Sequence, residues 1–166
     1  HEVCSYARRA GMLVIADGKR GDIGSTARAY AEAYLEGEPP RADALTVNPY
    51  LGRESVEPYL AAARRNGAGL FVIVKTSNSG GDMQDVTLSD GRPMWHHVAA
   101  QVAEWGEDLL GDVGLSSVGA VVGATHPRAV GEARRLMPQA VILLPGIGAQ
   151  GGSVGELARA FQSGPA

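Results

Sequence analysis

Short apolar runs alternate with amphipathic stretches along the 166 residues of the chain. The runs are rich in valine, leucine and isoleucine, as buried strands are, and occupy residues 13–16, 42–47, 70–74, 118–122 and 140–144. The stretches space their apolar residues three and four positions apart, as helices do, at residues 26–35, 55–66, 93–110, 127–137 and 156–161. No linker interrupts this alternation, which predicts an α/β fold of βα units around a parallel sheet.

Local signals mark several boundaries of these predicted elements. Glu38-Pro39-Pro40 predicts a stop after the helix at 26–35, and Gly67 predicts a glycine C-cap for the helix at 55–66. The polar, glycine-containing segment at 76–92 is predicted to be a long loop. Loops of that length inside a compact domain are usually either functional or disordered.

Charged residues follow the first apolar run directly, in the sequence Asp-Gly-Lys-Arg-Gly-Asp at 17–22. Because side chains alternate along a strand, Asp17 and Lys19 are predicted to share one face of the strand end. Asp22 follows where a helix begins, and a carboxylate suits the first turn of a helix; a plain N-cap, alone or together with a functional role, is the other interpretation of this residue. Two carboxylates and one ammonium are therefore expected to converge at the sheet edge where α/β proteins carry out their chemistry. The alternative is a solvated loop.

The choice of lysine favours chemistry over that alternative. The chain has 15 lysines plus arginines, and only Lys19 and Lys75 are lysines. Lysine can release a proton when its surroundings lower its pKa, whereas arginine cannot. Lys75 also lies at the end of a predicted strand.

Composition excludes several classes of function. The chain is 45% hydrophobic and 20% charged, which is typical of a globular domain. A net charge of −3 without a basic run argues against a nucleic-acid partner, and no apolar stretch is long enough to predict a membrane span. Cys4 is the sole cysteine, so no internal disulfide is expected and a cytoplasmic location is predicted. His96 and His97 are neighbours on a predicted helix and cannot form an i, i+4 metal pair, so no metal site is predicted.

Several motifs resemble those of orotidine 5'-monophosphate decarboxylases. Residues 17–26, Asp-Gly-Lys-Arg-Gly-Asp-Ile-Gly-Ser-Thr, closely resemble the Asp-x-Lys-x-x-Asp signature of that family, in the form typical of its longer bacterial branch. The likeness continues, in the order of the family, at residues 46–52, 75–78, 117–125 and 145–152. The similar blocks span nearly the whole chain.

The resemblance implies a (β/α)8 TIM barrel, in which the five predicted strands are the third to seventh. About five of eight βα units are then present, and residues 1–166 form a single barrel domain that is incomplete at both ends. A chain of that extent is expected to have negligible activity. By periodicity alone an open flavodoxin-like sheet fits five strands equally well, but the motifs favour the barrel.

The resemblance also implies a reaction, the removal of CO2 from orotidine 5'-monophosphate to give uridine 5'-monophosphate (UMP) in pyrimidine biosynthesis, without a cofactor. A fixed ammonium stabilises the charge that develops on carbon 6 of the ring and then donates the replacing proton, which is the expected role of Lys19. Asp17 is expected to lie near the departing carboxylate and to hold Lys19. Asp22 is expected to cross a homodimer interface into the neighbouring site, with Ile23 and Thr26 beside it.

Substrate binding is assigned by the same resemblance. Ser77 is expected at the polar edge of the pyrimidine. In the glycine-rich segment at 145–152, Pro145, Gln150 and Gly151 are expected at the phosphate, because glycines permit close backbone approach and free amides at a helix start attract anions. A plain glycine turn and a simple loop hydrogen bond of the serine are the alternatives.

Two other functions stay open. Keto-gulonate-phosphate decarboxylases and hexulose-phosphate aldolases share Asp-x-Lys-x-x-Asp and use Mg²⁺ to stabilise an enediolate. A non-catalytic phosphate-binding module, in which the charges at the strand end organise a dimer, is the third possibility.

Overall fold

The computed structural model describes residues 2–37, 41–148 and 150–161. Helices and strands alternate along these residues. In chain order they are α1 (Glu2–Arg9), β1 (Ile15–Arg20), α2 (Gly24–Leu35), β2 (Ala44–Val47), α3 (Arg53–Asn66), β3 (Gly69–Lys75), α4 (Met94–Gly106), β4 (Ser116–Val122), α5 (Pro127–Leu136) and β5 (Ala140–Leu143). Three 3₁₀ helices lie at Ser79–Asp85, Glu107–Leu109 and Val154–Ala160. The chain forms two compact units, unit 1 (His1–Ile73) and unit 2 (Val74–Ala166).

Unit 1 is built on parallel strands that follow one another in chain order. Strand β2 is buried along its whole length and pairs with β3 from Ala44↔Gly69 to Val47↔Val72. Helices α2 and α3 pack against each other, and α2 also contacts β1 and β2. The strand predicted at 42–47 is thus confirmed, although it begins at Ala44.

Strand β1 differs from its prediction, which ended a short buried strand at residue 16. The strand continues through Lys19 to Arg20, because the backbone still pairs with β2 at Arg20↔Val47 and Asn48 N donates to the Arg20 carbonyl at 2.8 Å. Its side chains are alternately exposed and half-buried. Helix α2 covers one face, where the Arg20 guanidinium lies over the Tyr30 ring at 5.3 Å. The prediction of a buried strand that ends before the charges is therefore wrong.

The helices of unit 1 follow the predicted apolar stripes. Helix α2 buries Ala27, Ala31 and Leu35, which are four residues apart. Helix α3 ends at Asn66, and Gly67 closes it in the left-handed conformation with φ of 61°, as predicted. The predicted stop at residues 38–40 lies outside the described residues.

Unit 2 contains the parallel pair β4 and β5, which pair from Ser116↔Ala140 to Val121↔Leu143 with a shift of register between Ser116 and Ala120. Helices α4 and α5 pack on β4. The predicted helix at 93–110 ends as an α-helix at Gly106, where Ser116 Oγ donates to the Gly106 carbonyl at 3.0 Å. A Cβ at Gly106 would lie 2.5 Å from the same Oγ, so this turn is shaped by its contact with β4.

Two further segments of unit 2 depart from the sequence prediction. The predicted loop at 76–92 contains the 3₁₀ helix Ser79–Asp85 and an isolated bridge between Thr87 and Pro93. The last predicted helix is the 3₁₀ helix Val154–Ala160. Within the described part of the chain, no helix is both long enough and apolar enough to cross a membrane.

Candidate active site

Asp17 and Lys19 form an ion pair at the end of β1. Lys19 Nζ donates to both carboxylate oxygens of Asp17, at 2.6 Å and 2.7 Å. The side chain of Asp17 is 63% exposed and that of Lys19 is 52% exposed. The hydrogen bond from Lys19 is the main cause of a lowered pKa of Asp17, so this carboxylate is ionised at neutral pH. The prediction that both side chains share one face is confirmed, and the pair is open to solvent.

Thr46 of β2 holds both members of this ion pair. Its side chain is fully buried, and its hydroxyl donates to Asp17 Oδ1 and accepts the backbone N–H of Lys19, each at 2.9 Å. The Lys19 backbone is left-handed, with φ of 46°, a conformation that is unfavourable for a residue with a Cβ. The contact to Thr46 therefore stabilises a strained residue. Sequence reasoning missed Thr46, although a hydroxyl within a buried apolar strand was a usable signal.

Asp22 lies at the entrance to α2 but does not cap it. The helix begins at Gly24 with Ile23 as its N-cap residue, and Asp22 Oδ1 accepts the N–H of Ile23 at 2.8 Å. Because Ile23 is extended, the carboxylate is one residue too far from the first helical turn to cap it. The predicted N-cap role is wrong. Among the described residues, the ion pair of Lys19 is with Asp17, so the predicted convergence holds for one carboxylate.

The remaining site residues predicted in unit 1 lie on the surface. Ile23 is 53% exposed, and Thr26 is exposed in the first turn of α2. An exposed isoleucine beside a charged segment is compatible with a protein contact. Their predicted place in a dimer interface stays a prediction.

Ser77 of unit 2 is half-buried and packs closely against backbone. Its carbonyl accepts the hydroxyl of Thr125 at 3.2 Å. A Cβ at Gly123 would lie between 2.7 and 2.9 Å from the Cα, N and Cβ atoms of Ser77, so only glycine fits there. A Cβ at Gly146 would lie 3.1 Å from Ser77 Cβ and 2.8 Å from Gln150 Oε1. The structure therefore brings Ser77 and Gln150 together against one glycine.

The segment at 145–152 uses part of its hydrogen-bonding capacity internally. The Pro145 carbonyl accepts the N–H of Ala124 at 2.8 Å. Gly151 adopts a φ of 88°, and its N–H donates to Gly148 at 2.8 Å. The next helix, the 3₁₀ helix Val154–Ala160, begins only after this segment. The described residues of the segment therefore form a glycine turn that precedes a short helix. Its predicted phosphate contacts through Pro145, Gln150 and Gly151 stay predictions.

The other polar candidates have local partners. Lys75 is 5% exposed and its Nζ lies 2.6 Å from Asp85 Oδ1. His96 contacts Glu132 at 3.3 Å and His97 contacts an aspartate at 3.1 Å. Across the described ranges, no group of three His, Cys, Asp or Glu side chains could hold a metal ion.

Comparison with known proteins places these features in context. Residues 1–163 match the model of the family described as Orotidine 5'-phosphate decarboxylase / HUMPS. The chain is 51% identical over 168 residues to orotidine 5'-phosphate decarboxylase of Rhodopirellula baltica, covering 98% of this chain and 55% of that protein. It is also 51% identical to the Deinococcus radiodurans protein of the same name, covering 98% and 58%. The chain thus spans about half the length of the curated relatives it matches.

Solved structures, among them one of an orotidine 5'-monophosphate (OMP) decarboxylase, are also similar to this chain. Leishmania donovani OMP decarboxylase is 34% identical with a TM-score of 0.78, covering 96% of this chain and 59% of that chain. Leishmania donovani UMP synthase is 36% identical with a TM-score of 0.80, covering 96% and 34%. The predicted α/β fold with five parallel strands of a (β/α)8 barrel is confirmed.

Proposed function

Because this chain belongs to the orotidine 5'-phosphate decarboxylase / HUMPS family, we propose that it supplies the catalytic residues of an orotidine 5'-monophosphate decarboxylase, a carboxy-lyase of pyrimidine biosynthesis. The observation that carries the proposal is the exposed ion pair in which Lys19 Nζ contacts both oxygens of Asp17. The Asp-x-Lys-x-x-Asp motif that contains this ion pair and the names of the relatives both support a decarboxylation.

The ion pair suits a reaction that develops negative charge beside a cation. When the bond to the substrate carboxylate breaks, CO2 leaves and the electron pair stays on carbon 6 of the pyrimidine. The ammonium of Lys19 stabilises that charge and then transfers a proton to the same carbon. The amine left behind regains its proton from solvent. Asp17 keeps the ammonium in place through both hydrogen bonds, and no cofactor takes part in any of these steps.

Substrate binding is proposed for residues of unit 2. The hydroxyl of Ser77 would bind the polar edge of the pyrimidine, because a serine can both donate and accept hydrogen bonds. Pro145, Gln150 and Gly151 would contact the phosphate. The shared packing of Ser77 and Gln150 against Gly146 supports a common role.

The assembly is proposed to be a homodimer in the cytoplasm, with residues 1–166 as part of one barrel domain. Exposed Ile23, with Asp22 and Thr26 beside it, would form the dimer contact and lead Asp22 towards the neighbouring site. The absence of a second cysteine in the sequence supports the cytoplasmic location. Sedimentation of an active monomer at micromolar concentration would contradict the dimer.

The decisive variant is Lys19→Ala, assayed in the protein at its full natural length. Turnover of orotidine 5'-monophosphate should fall by at least about a thousandfold, because proton donation and charge stabilisation are both lost. Circular dichroism and UMP binding should be retained. The matched control is Arg135→Ala, which removes an exposed cation from α5 and should leave turnover unchanged.

Each alternative function predicts a different outcome. A Mg²⁺-dependent sugar-phosphate enzyme would turn over a sugar phosphate and stop when a chelator is added. A phosphate-binding module would release no CO2 even before mutation. If Lys19→Ala keeps more than about a tenth of the turnover, the role proposed for Lys19 is wrong.

A further inference from the structure

The segment that carries Ser77 is tied together by four residues of unit 2, which we name the loop clasp: Lys75, Thr76, Gln84 and Asp85. Gln84 Oε1 accepts the backbone N–H of Thr76, and Gln84 Nε2 donates to Thr76 Oγ1, both at 2.9 Å. Lys75 Nζ donates to Asp85 Oδ1 at 2.6 Å. The end of β3 is thus bound to the end of the 3₁₀ helix that follows it.

The burial of Lys75 requires the contact with Asp85 that closes this loop. Lys75 is 5% exposed, and a buried ammonium is unfavourable unless a carboxylate pairs with it. Asp85 supplies that carboxylate from the far end of the loop. Gly81 is also buried, and a Cβ there would lie 2.8 Å from Thr76 Oγ1, so the loop folds directly onto Thr76.

Ser77 is therefore constrained through the residue before it in the chain and by residues that follow β4. The preceding residue, Thr76, is fixed at its N–H and its hydroxyl by Gln84. The carbonyl of Ser77 is fixed by Thr125, and its backbone packs on Gly123. These contacts leave the Ser77 backbone little freedom before any ligand arrives.

We propose that the loop clasp, acting chiefly through Gln84, positions the Ser77 hydroxyl to recognise the imide edge of a pyrimidine base. This inference rests on the proposed function, because it takes Ser77 as the residue that binds the base. Gln84 is a positioning residue, because its side-chain amide forms its two hydrogen bonds with Thr76. A preorganised hydroxyl binds more tightly because less conformational entropy is lost on binding.

The test compares Gln84→Leu with Gln101→Leu, the same change at an exposed position on α4. Calorimetry on the protein at its full natural length measures binding of UMP and of ribose 5-phosphate, which lacks the base. Gln84→Leu should weaken UMP binding by about three- to tenfold, the effect of one or two lost hydrogen bonds, and leave ribose 5-phosphate binding unchanged. Gln84→Glu keeps the acceptor for Thr76 N–H and should restore most of the UMP affinity.

Ser77→Ala separates this inference from the proposed function. If Gln84 acts through Ser77, Gln84→Leu should have little further effect on UMP binding in the Ser77→Ala background. Undiminished weakening in that background, equal weakening of ribose 5-phosphate binding, or no difference from Gln101→Leu would each overturn the proposal. If Ser77→Ala alone leaves UMP affinity unchanged, the base-binding role of Ser77 fails instead.

One readout is independent of any nucleotide. The Thr76 amide should exchange its proton faster in Gln84→Leu than in the Gln101→Leu control, because its acceptor is gone. Unchanged exchange would mean that Gln84 does not hold Thr76, and the loop clasp would then be rejected whatever the binding data.

Discussion

The two groups of proposed site residues are constructed in opposite ways. In unit 1, Asp17 and Lys19 are exposed and are held by side-chain hydrogen bonds to each other and to Thr46. In unit 2, Ser77 is half-buried and lies against glycines where a single added methyl group would collide. The charged pair should therefore be sensitive to the loss of a charge or hydroxyl, and the Ser77 region to a small increase in volume.

The largest effect predicted from this comparison belongs to Asp17→Asn. The change keeps the shape of the side chain but removes the charge that holds the Lys19 ammonium, so turnover should fall by about a hundredfold or more. Steady-state kinetics on orotidine 5'-monophosphate measures this. The control is Asp82→Asn, at an exposed position in the 3₁₀ helix Ser79–Asp85, which should leave turnover unchanged. Near-normal turnover of Asp17→Asn would mean that the ion pair is structural.

The next effect is expected from Gly123→Ala. The added Cβ would lie between 2.7 and 2.9 Å from atoms of Ser77, so the backbone must shift, at a cost of about 1–3 kcal/mol in the free energy of unfolding. UMP binding should weaken with it. Urea unfolding and calorimetry measure the two effects. Gly111→Ala is the control, because a Cβ there would meet its nearest atom at 3.7 Å. Equal stability of both variants would contradict the close packing of Ser77.

A smaller effect is predicted for Thr46→Val, which keeps the shape of the side chain and removes its hydroxyl. Water can replace the donor to the exposed Asp17, so the main loss is the acceptor of the Lys19 N–H, and the free energy of unfolding should fall by about 0.5–1.5 kcal/mol. Turnover should fall about three- to tenfold through loss of positioning. Thr87→Val, at an exposed position, is the control for both measurements. A drop in stability without any change in turnover would confine Thr46 to a structural role.

Local sequence pattern was sufficient for most of the fold. The helix at 26–35 and the glycine cap at Gly67 depend on neighbours within one or two helical turns, so local spacing was sufficient to predict them. The apolar runs also predicted the positions of β2 and β3, although β2 is two residues shorter and β3 two residues longer than predicted. The pairing of Asp17 with Lys19 also follows from strand alternation.

The errors arose where distant residues decide the structure. Strand β1 continues through its charged residues because β2, far away in sequence, pairs with its backbone. Thr46 was missed because its contacts to Asp17 and Lys19 span 29 and 27 positions. The N-cap prediction for Asp22 failed by one residue, since the extended conformation of Ile23 leaves no trace in composition.

The two lysines of residues 1–166 differ in their accessibility to chemical modification. Lys75 is buried against Asp85, whereas the Lys19 side chain is 52% exposed. Amine-directed acylating reagents therefore reach Lys19 first among the two lysines. The rate at which an isotopic or fluorescent acyl group attaches to Lys19 would report how many sites are unoccupied, because a ligand that covers Lys19 slows the reaction. Lys19, the proposed proton donor, is thus also a suitable position for a chemical label.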